Sequence, residues 1–172
     1  VYAMAGTTLR HNEIVQNTAS FLRGQVRSRG CKVFSESIKL EAIKRFYYPY
    51  PDVMLTCDKE DVNAEYIIKS PTLIVEVLSK STMNHDRVTK LRRYKTIPTL
   101  QYYILVAQNE YLVEVFSRFE DSEAWIYQNF ENIEDTIPLD KLDLKLSLSD
   151  IYEGMIMKEE DREEDFILKN QN

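Results

Sequence analysis

An acidic residue interrupts an otherwise apolar, strand-like segment in the middle of this chain. Residues 73–79 contain only leucine, isoleucine and valine apart from Glu76 and a final serine, and they follow the turn signal Ser70-Pro71. An ionised glutamate in a buried strand is costly unless a partner compensates its charge. We therefore expect Glu76 to be paired, and a metal ion is one of the possible partners.

A second acid, Asp52, lies 24 residues before Glu76 in another strand-like run, residues 51–57. The turn residues Tyr50-Pro51 precede it, so Asp52 opens this strand. Carboxylates are the natural ligands of the hard cations Mg²⁺ and Mn²⁺, which assist phosphodiester hydrolysis by activating water and neutralising phosphate charge. Two acids on neighbouring strands therefore predict a site for Mg²⁺ (or Mn²⁺).

Such chemistry also uses a protein cation beside the phosphate, and two lysines are candidates. Lys80 has the same strand parity as Glu76 and shares its face if the strand continues that far. Lys90 falls on the next predicted helix, one turn after Asp86 and one turn before Tyr94. A helix packed on the sheet could aim Lys90 at Glu76, so both lysines stay candidates.

Composition restricts the chain to one globular domain. Its 172 residues are 44% hydrophobic, enough for one packed core and too few for two. We assign residues 1–157 to a single domain and residues 158–172, a mixed and mostly acidic run, to a charged tail. No apolar run approaches the about 20 residues that span a bilayer. Residues 1–6 lack the features of a signal peptide, so we expect a cytoplasmic protein without a membrane partner.

The net charge of −6 argues against a nucleic-acid partner, but the charges are unevenly distributed. Residues 80–95 hold six basic side chains against one acid. This basic segment keeps nucleic acid, DNA in particular, open as a partner.

The chain has two cysteines, Cys31 and Cys57, which form no CxxC pair. Their spacing supports neither a zinc ribbon nor a redox motif. We predict both to be buried free thiols, as unpaired cysteines usually are.

The pattern of apolar residues indicates the order of helices and strands. It predicts a helix over residues 8–29, followed by Gly30 as a cap, a second over 86–94, and a short one after Ser149-Asp150. Apolar or alternating runs typical of strands cover residues 31–35, 38–43, 50–57, 73–79, 100–107, 111–119, 124–130 and 143–148. This order predicts an α/β domain with a mixed central β-sheet flanked by α-helices.

Taken together, these segments resemble the Uma-type family of restriction-endonuclease-like proteins, within the PD-(D/E)XK nuclease superfamily. The resemblance runs from about Met4 to Trp125 and is strongest over residues 71–79. The other matching positions are residues 4–6, His11, residues 30–34, 50–54, 81–82 and 86–87, Lys90, Tyr94, and residues 97–98 and 102–106.

The resemblance implies a restriction-endonuclease-like fold with Asp52 and Glu76 as catalytic, metal-binding acids. Leu78 stands where the superfamily motif carries its lysine, which implies that Lys90 supplies the catalytic lysine from the helix. Lys80 ranks second because the family usually has proline there. The further neighbours of the site are His11, Lys80, Asp86 and Tyr94.

The sequence therefore predicts a metal-dependent endonuclease that hydrolyses DNA phosphodiester bonds, and a homodimer would suit the cutting of two strands. Two alternatives stay open: a non-catalytic nuclease-fold module for nucleic-acid binding or assembly, and a hydrolase of another phosphate ester. Each residue also has a structural interpretation: Asp52 as a turn cap, Glu76 as a structural acid, Asp86 with Lys90 as a surface pair, and His11 as a packing residue.

Overall fold

The computed structural model describes residues 7–78, 86–120 and 122–157. Its first helix, α1 (Leu9–Val26), begins where the Thr8 hydroxyl accepts a hydrogen bond from the His11 backbone N–H. The helix continues into a 3₁₀ turn at Arg27–Arg29, and Gly30 ends it with a φ of +73°, a left-handed conformation that favours glycine. The helix predicted over residues 8–29, with Gly30 as its cap, is confirmed.

Ten strands follow within the described residues. They are β1 (Lys32–Ser35), β2 (Lys39–Leu40), β3 (Val53–Thr56), β4 (Ile67–Ile68), β5 (Leu73–Leu78), β6 (Tyr102–Ala107), β7 (Val113–Arg118), β8 (Trp125–Phe130), β9 (Thr136–Leu139) and β10 (Leu144–Ser147). Six of them form the central sheet in the order β1, β3, β5, β6, β7, β8. Strands β5 and β6 run parallel and the other neighbours are antiparallel, so the predicted mixed sheet is confirmed.

Short helical segments lie between the strands and after the last of them. They are α2 (Lys59–Val62), a π-helical segment (Asp86–Lys90) continued by α3 (Leu91–Tyr94), a 3₁₀ turn (Asp140–Leu142), and α4 (Leu148–Ile151). The helix predicted over residues 86–94 is confirmed, with π-helical geometry in its first part. No helix among the described residues is long and apolar enough to cross a membrane.

Apolar side chains cover both faces of the sheet. One face packs against α1, α4 and the β9–β10 hairpin, and the other packs against α3 and the small parallel pair of β2 and β4. Because successive strand residues point to opposite faces, Val75 and Val77 join the first core whereas Ile74 and Leu78 join the second. Glu76 has the parity of Ile74 and Leu78 and therefore points into the second core.

Some elements differ from the sequence-based expectation. Strand β2 is shorter than residues 38–43 because the Leu40 N–H already bonds to the Pro49 carbonyl as the chain folds back. Residues 58–70, for which neither a helix nor a strand was predicted, contain α2 and β4, and β9 was not predicted. The tail proposed for residues 158–172 lies outside the described residues.

The prediction of two buried free thiols is wrong. Strands β1 and β3 are antiparallel with Lys32 opposite Thr56, so Cys31 and Cys57 form the next facing pair. They are joined by a disulfide with their Cα atoms 4.1 Å apart. Cys31 is half-buried and Cys57 is exposed. The sequence alone does not reveal the strand register that brings these two cysteines together.

Candidate active site

The two acids singled out in the sequence lie side by side on neighbouring strands. In the register of β3 and β5, Val53 faces Val75, so Asp52 lies opposite Glu76 just beyond the last paired residue of β3. Facing residues on adjacent strands have Cβ atoms about 5 Å apart. The Val77 backbone N–H donates to Asp52 Oδ2 at 2.7 Å, which holds this carboxylate against β5.

The carboxylate of Glu76 is buried and bonded at both oxygens. Its side chain is only 3% exposed. The Tyr94 hydroxyl donates to Oε1 at 2.8 Å, and Lys90 Nζ lies 3.0 Å from Oε2. Lys90 ends the π-helical segment and Tyr94 ends α3, so one turn of helix supplies both partners. The expected pairing of Glu76 and the expected reach of Lys90 are both observed.

Burial raises the pKa of Glu76 to about 7, the negative charge of Asp52 adds to the increase, and Lys90 and Tyr94 oppose it. Burial and the charge of Glu76 also raise the pKa of Tyr94 well above its ordinary value. Tyr94 therefore remains a protonated donor at neutral pH. Glu76 changes its charge near neutral pH, and an added cation would favour the ionised form.

His11 lies in the first turn of α1 and contacts the other acid. Its Nε2 is 3.2 Å from Asp52 Oδ2, and both side chains are largely buried. Burial lowers the pKa of His11, but the hydrogen bond to Asp52 and the charges of Asp52, Glu36 and Glu76 outweigh it, so the net pKa is raised. His11 is thus a cationic partner of Asp52 at mildly acidic pH.

Sequence reasoning missed a third acid, Glu36, directly after β1. The Glu36 backbone N–H donates to the Asp52 carbonyl at 3.0 Å. Glu36 and Ser37 have φ values of +45° and +57°, a left-handed conformation that is unfavourable for both residues. The sequence showed only that Glu36 directly follows a predicted strand. The register of β1 and β3 is needed to show that it lies opposite Asp52.

Gln108 was also missed, and it links the strands to α1. Its Nε2 donates to the Leu78 carbonyl at 2.8 Å, and its Oε1 accepts from the Thr8 hydroxyl at 2.6 Å. Because Thr8 caps the helix that carries His11, this buried amide fixes the start of α1 at the end of β5. In the sequence, Gln108 only falls between two predicted strands, residues 100–107 and 111–119.

Two of the predicted neighbours cannot be placed against the acids. Lys80 lies outside the described residues, and for Asp86 only the backbone, within the π-helical segment, is described. The structure therefore brings together Asp52, Glu76, Lys90, Tyr94 and His11.

The donor set was tested for a divalent metal. Among the described residues, no group of three or more histidine, cysteine, aspartate or glutamate side chains is arranged to hold a metal ion. Magnesium, however, commonly uses one or two carboxylates and completes its shell with water and substrate phosphates. Two carboxylates on facing positions of adjacent strands, one of them buried, fit that kind of site.

Comparisons with known proteins find related sequences over most of the chain. A family model described as "Uma2: Putative restriction endonuclease" matches residues 1–149, which include every residue of the site. The chain is 30% identical to the uncharacterized protein slr1290 of Synechocystis sp. over 155 residues, 90% of this chain and 80% of that protein. It is 31% identical to the uncharacterized protein sll1609 of Synechocystis sp. over 128 residues, 73% of this chain and 72% of that protein.

Proposed function

Since the chain belongs to the Uma2 family of restriction-endonuclease-like proteins, we propose that it is a metal-dependent endonuclease that hydrolyses DNA phosphodiester bonds. The observation that carries the proposal is the buried Glu76 carboxylate, opposite Asp52 and 3.0 Å from Lys90. A purely structural acid would not need a second carboxylate beside it, because the second charge makes ionisation more costly.

In this proposal, Asp52 and Glu76 hold Mg²⁺ (or Mn²⁺). The bound cation would activate water and neutralise charge on the phosphate. Lys90 compensates the Glu76 charge and can donate to a phosphate oxygen beside it. Tyr94 orients Glu76 Oε1 through its hydroxyl, and His11 orients Asp52 Oδ2.

The natural partner in this proposal is DNA in the cytoplasm. The basic segment 80–95 supplies the positive charge that an acidic protein needs near a polyanion. A homodimer would place two sites on the two strands of a duplex, and we retain it as part of the proposal.

A second candidate is a non-catalytic module with the same fold. One observation favours it: both oxygens of the Glu76 carboxylate already have a protein partner, Lys90 or Tyr94. In such a module, these three residues would serve only to hold the helix on the sheet.

Plasmid nicking in Mg²⁺ or Mn²⁺, with EDTA as the blank, separates the two candidates. We expect the wild type to nick and Glu76→Gln and Asp52→Asn to lose activity by at least about 100-fold. Glu114→Gln is the matched control, because Glu114 is another buried glutamate bonded to a tyrosine hydroxyl, two strands away. Nicking by Glu76→Gln at the wild-type rate would refute the proposal.

A further inference from the structure

An exposed group of aromatic side chains lies on the segment that leads into the site. We call residues 38–51, between β1 and β3, the aromatic arm. Phe46 is 76% exposed and Tyr50 is 55% exposed, and Tyr48 between them is also exposed. Large aromatic rings are seldom so exposed to solvent, and an exposed group of them marks a binding surface.

The base of the arm is firmly held. The Leu40 N–H donates to the Pro49 carbonyl at 2.9 Å, and the Ala42 N–H donates to the Tyr47 carbonyl at 3.0 Å. Leu40 and Ala42 are buried in the second core. The rings at its surface therefore stand on a fixed base, which lowers the entropy cost of binding a ligand.

The outward side of the arm is defined by an alternating exposure. Tyr47 and Pro49 are half-buried, whereas their neighbours Phe46, Tyr48 and Tyr50 are exposed. Phe46 lies in the turn at residues 44–46, and Tyr48 and Tyr50 follow it directly, so the three exposed rings lie within five residues of the chain. The Tyr48 hydroxyl donates to Glu41 Oε1 at 2.7 Å, which ties the second of these rings to the arm.

The arm is positively charged although the whole chain is acidic. Its charged residues are Lys39, Lys44 and Arg45 against Glu41, whereas the chain carries a net charge of −6. Beside its base lies a cavity of about 490 Å³ lined in part by Lys44 and Lys69. Rings beside lysines and an arginine complement a ligand with flat bases and phosphates.

The arm also adjoins the candidate active site. Tyr50 is two residues from Asp52, so their Cα atoms are at most about 7 Å apart. The Arg93 guanidinium lies 4.1 Å from the centre of the Tyr47 ring, and Arg93 precedes Tyr94 on α3. A strand bound at the acids would therefore pass the arm within a few nucleotides.

We propose that the aromatic arm stacks on unpaired bases, so that the substrate of the site is single-stranded nucleic acid or contains an unpaired segment. The faces of bases within a duplex are covered by their neighbours, whereas unpaired bases offer them to aromatic rings. The inference rests on the proposed function, because that function places the cleaved bond at Asp52 and Glu76. It names the class of substrate for that same site.

Fluorescence anisotropy tests the inference without cleavage. The probes are a labelled single-stranded DNA of about 20 nucleotides and the blunt duplex of the same sequence, both in EDTA. We expect the single strand to bind at least about tenfold more tightly than the duplex. Phe46→Ala and Tyr50→Ala should each weaken single-strand binding at least about fivefold. Phe119→Ala is the matched control, since Phe119 is 47% exposed and follows β7, which lies two strands from β5 in the central sheet.

Three outcomes would overturn the inference: equal affinity for the duplex, unchanged single-strand binding by both arm variants, or self-association in sedimentation that the arm variants abolish. The last would identify the arm as a protein interface. Ring-dependent single-strand binding without cleavage of that single strand in Mg²⁺ or Mn²⁺ would support the arm and refute the nuclease. Nicking with unchanged binding by the arm variants would refute the arm and support the nuclease.

Discussion

Glu76 is the residue on which the rest of the site depends. A buried carboxylate loses the solvation that stabilises its charge, and Lys90 and Tyr94 restore only part of it, since the pKa of Glu76 remains raised to about 7. A bound cation would supply the compensation of the Glu76 charge that Lys90 and Tyr94 leave incomplete. We therefore expect the ionised Glu76 to lower the free energy of unfolding of the protein.

That cost predicts a pH dependence for the metal-free protein. The folded-state pKa of about 7 lies above the ordinary value of 4.5, so the folded state binds the Glu76 proton more tightly. The stabilising contribution is complete below pH 4.5 and is lost as the pH rises through 7, by an amount on the order of 3 kcal/mol at most. Urea unfolding at pH 5 and pH 8 measures it.

The control for this pH dependence is Glu76→Gln, which keeps the shape of the side chain. His11 also has a raised pKa and loses its contribution in the same direction, so the variant should flatten the profile without abolishing it. A variant profile as steep as that of the wild type would contradict the assignment of the proton to Glu76.

Lys90 is expected to affect both the charge of Glu76 and the phosphate. Because Lys90 lowers the pKa of Glu76, Lys90→Gln should raise that pKa further, weaken Mn²⁺ binding at pH 7 and leave it near normal at pH 9. Cleavage should stay reduced by at least about 100-fold at both pH values, since the cation beside the phosphate is missing.

The matched control for Lys90 is Lys145→Gln, a charge removed from an exposed position of β10, outside the basic segment 80–95. Its rate and metal affinity should equal those of the wild type. Full recovery of cleavage by Lys90→Gln at pH 9 would contradict a role at the phosphate and show that Lys90 acts only as an electrostatic partner of Glu76.

Site residues could be predicted from the sequence where the chemistry of the side chain was unusual for its predicted strand. Glu76 stood out as a charge in an apolar strand, and Asp52 as an acid opening a neighbouring strand. Glu36 and Gln108 carried no such signal. Their positions follow from strand register and helix docking, which depend on distant parts of the chain.

Among the helices and strands, the helix after β5 supplies both side chains that bond to the Glu76 carboxylate. Its π-helical first part is a geometry found often at functional sites, and it ends at Lys90. The α-helical turn that follows brings Tyr94 to the same carboxylate. Sequence periodicity predicted a helix here but does not distinguish π-helical from α-helical turns.

The disulfide between the ends of β1 and β3 should stabilise the edge of the sheet next to Asp52. It links residues 26 apart in sequence, which corresponds to about 3 kcal/mol of restricted unfolded-state entropy. The double variant Cys31→Ser with Cys57→Ser should lower the free energy of unfolding by that amount in urea titrations.

Wild type in excess dithiothreitol provides the comparison for the disulfide, because reduction should make its stability equal to that of the double variant. Cys57 is exposed and Cys31 half-buried, so the reductant can reach the bond. Titration of two free thiols in protein purified without reductant would contradict the pairing.

The elements that sequence patterns missed are short or irregular. Strand β9 contains Pro138, which cannot donate to a ladder and weakens the strand signal. Strand β4, which was not predicted, pairs with β2 over two residues, too few for any periodicity to appear. Longer elements matched their predicted positions because α1 carries a helical apolar repeat, and β5 and β6 are almost continuous apolar runs.

At the scale of the whole molecule, the site lies where both layers of the fold meet the sheet. His11 reaches Asp52 from α1 on one face, and Lys90 and Tyr94 reach Glu76 from the helix on the other. Family resemblance predicted this architecture, whereas composition alone predicted only one globular domain. The docking of two separate helices on one pair of strands is a long-range property that no local pattern contains.

The central claim is that Asp52 and Glu76 bind a divalent cation, and isothermal titration of Mn²⁺ into the protein at pH 8 tests it most directly. At that pH the Glu76 carboxylate is largely ionised, since its pKa is about 7. We expect saturable binding to the wild type and to Glu114→Gln, and none to Glu76→Gln. Equal binding by Glu76→Gln, or no binding by the wild type, would contradict it.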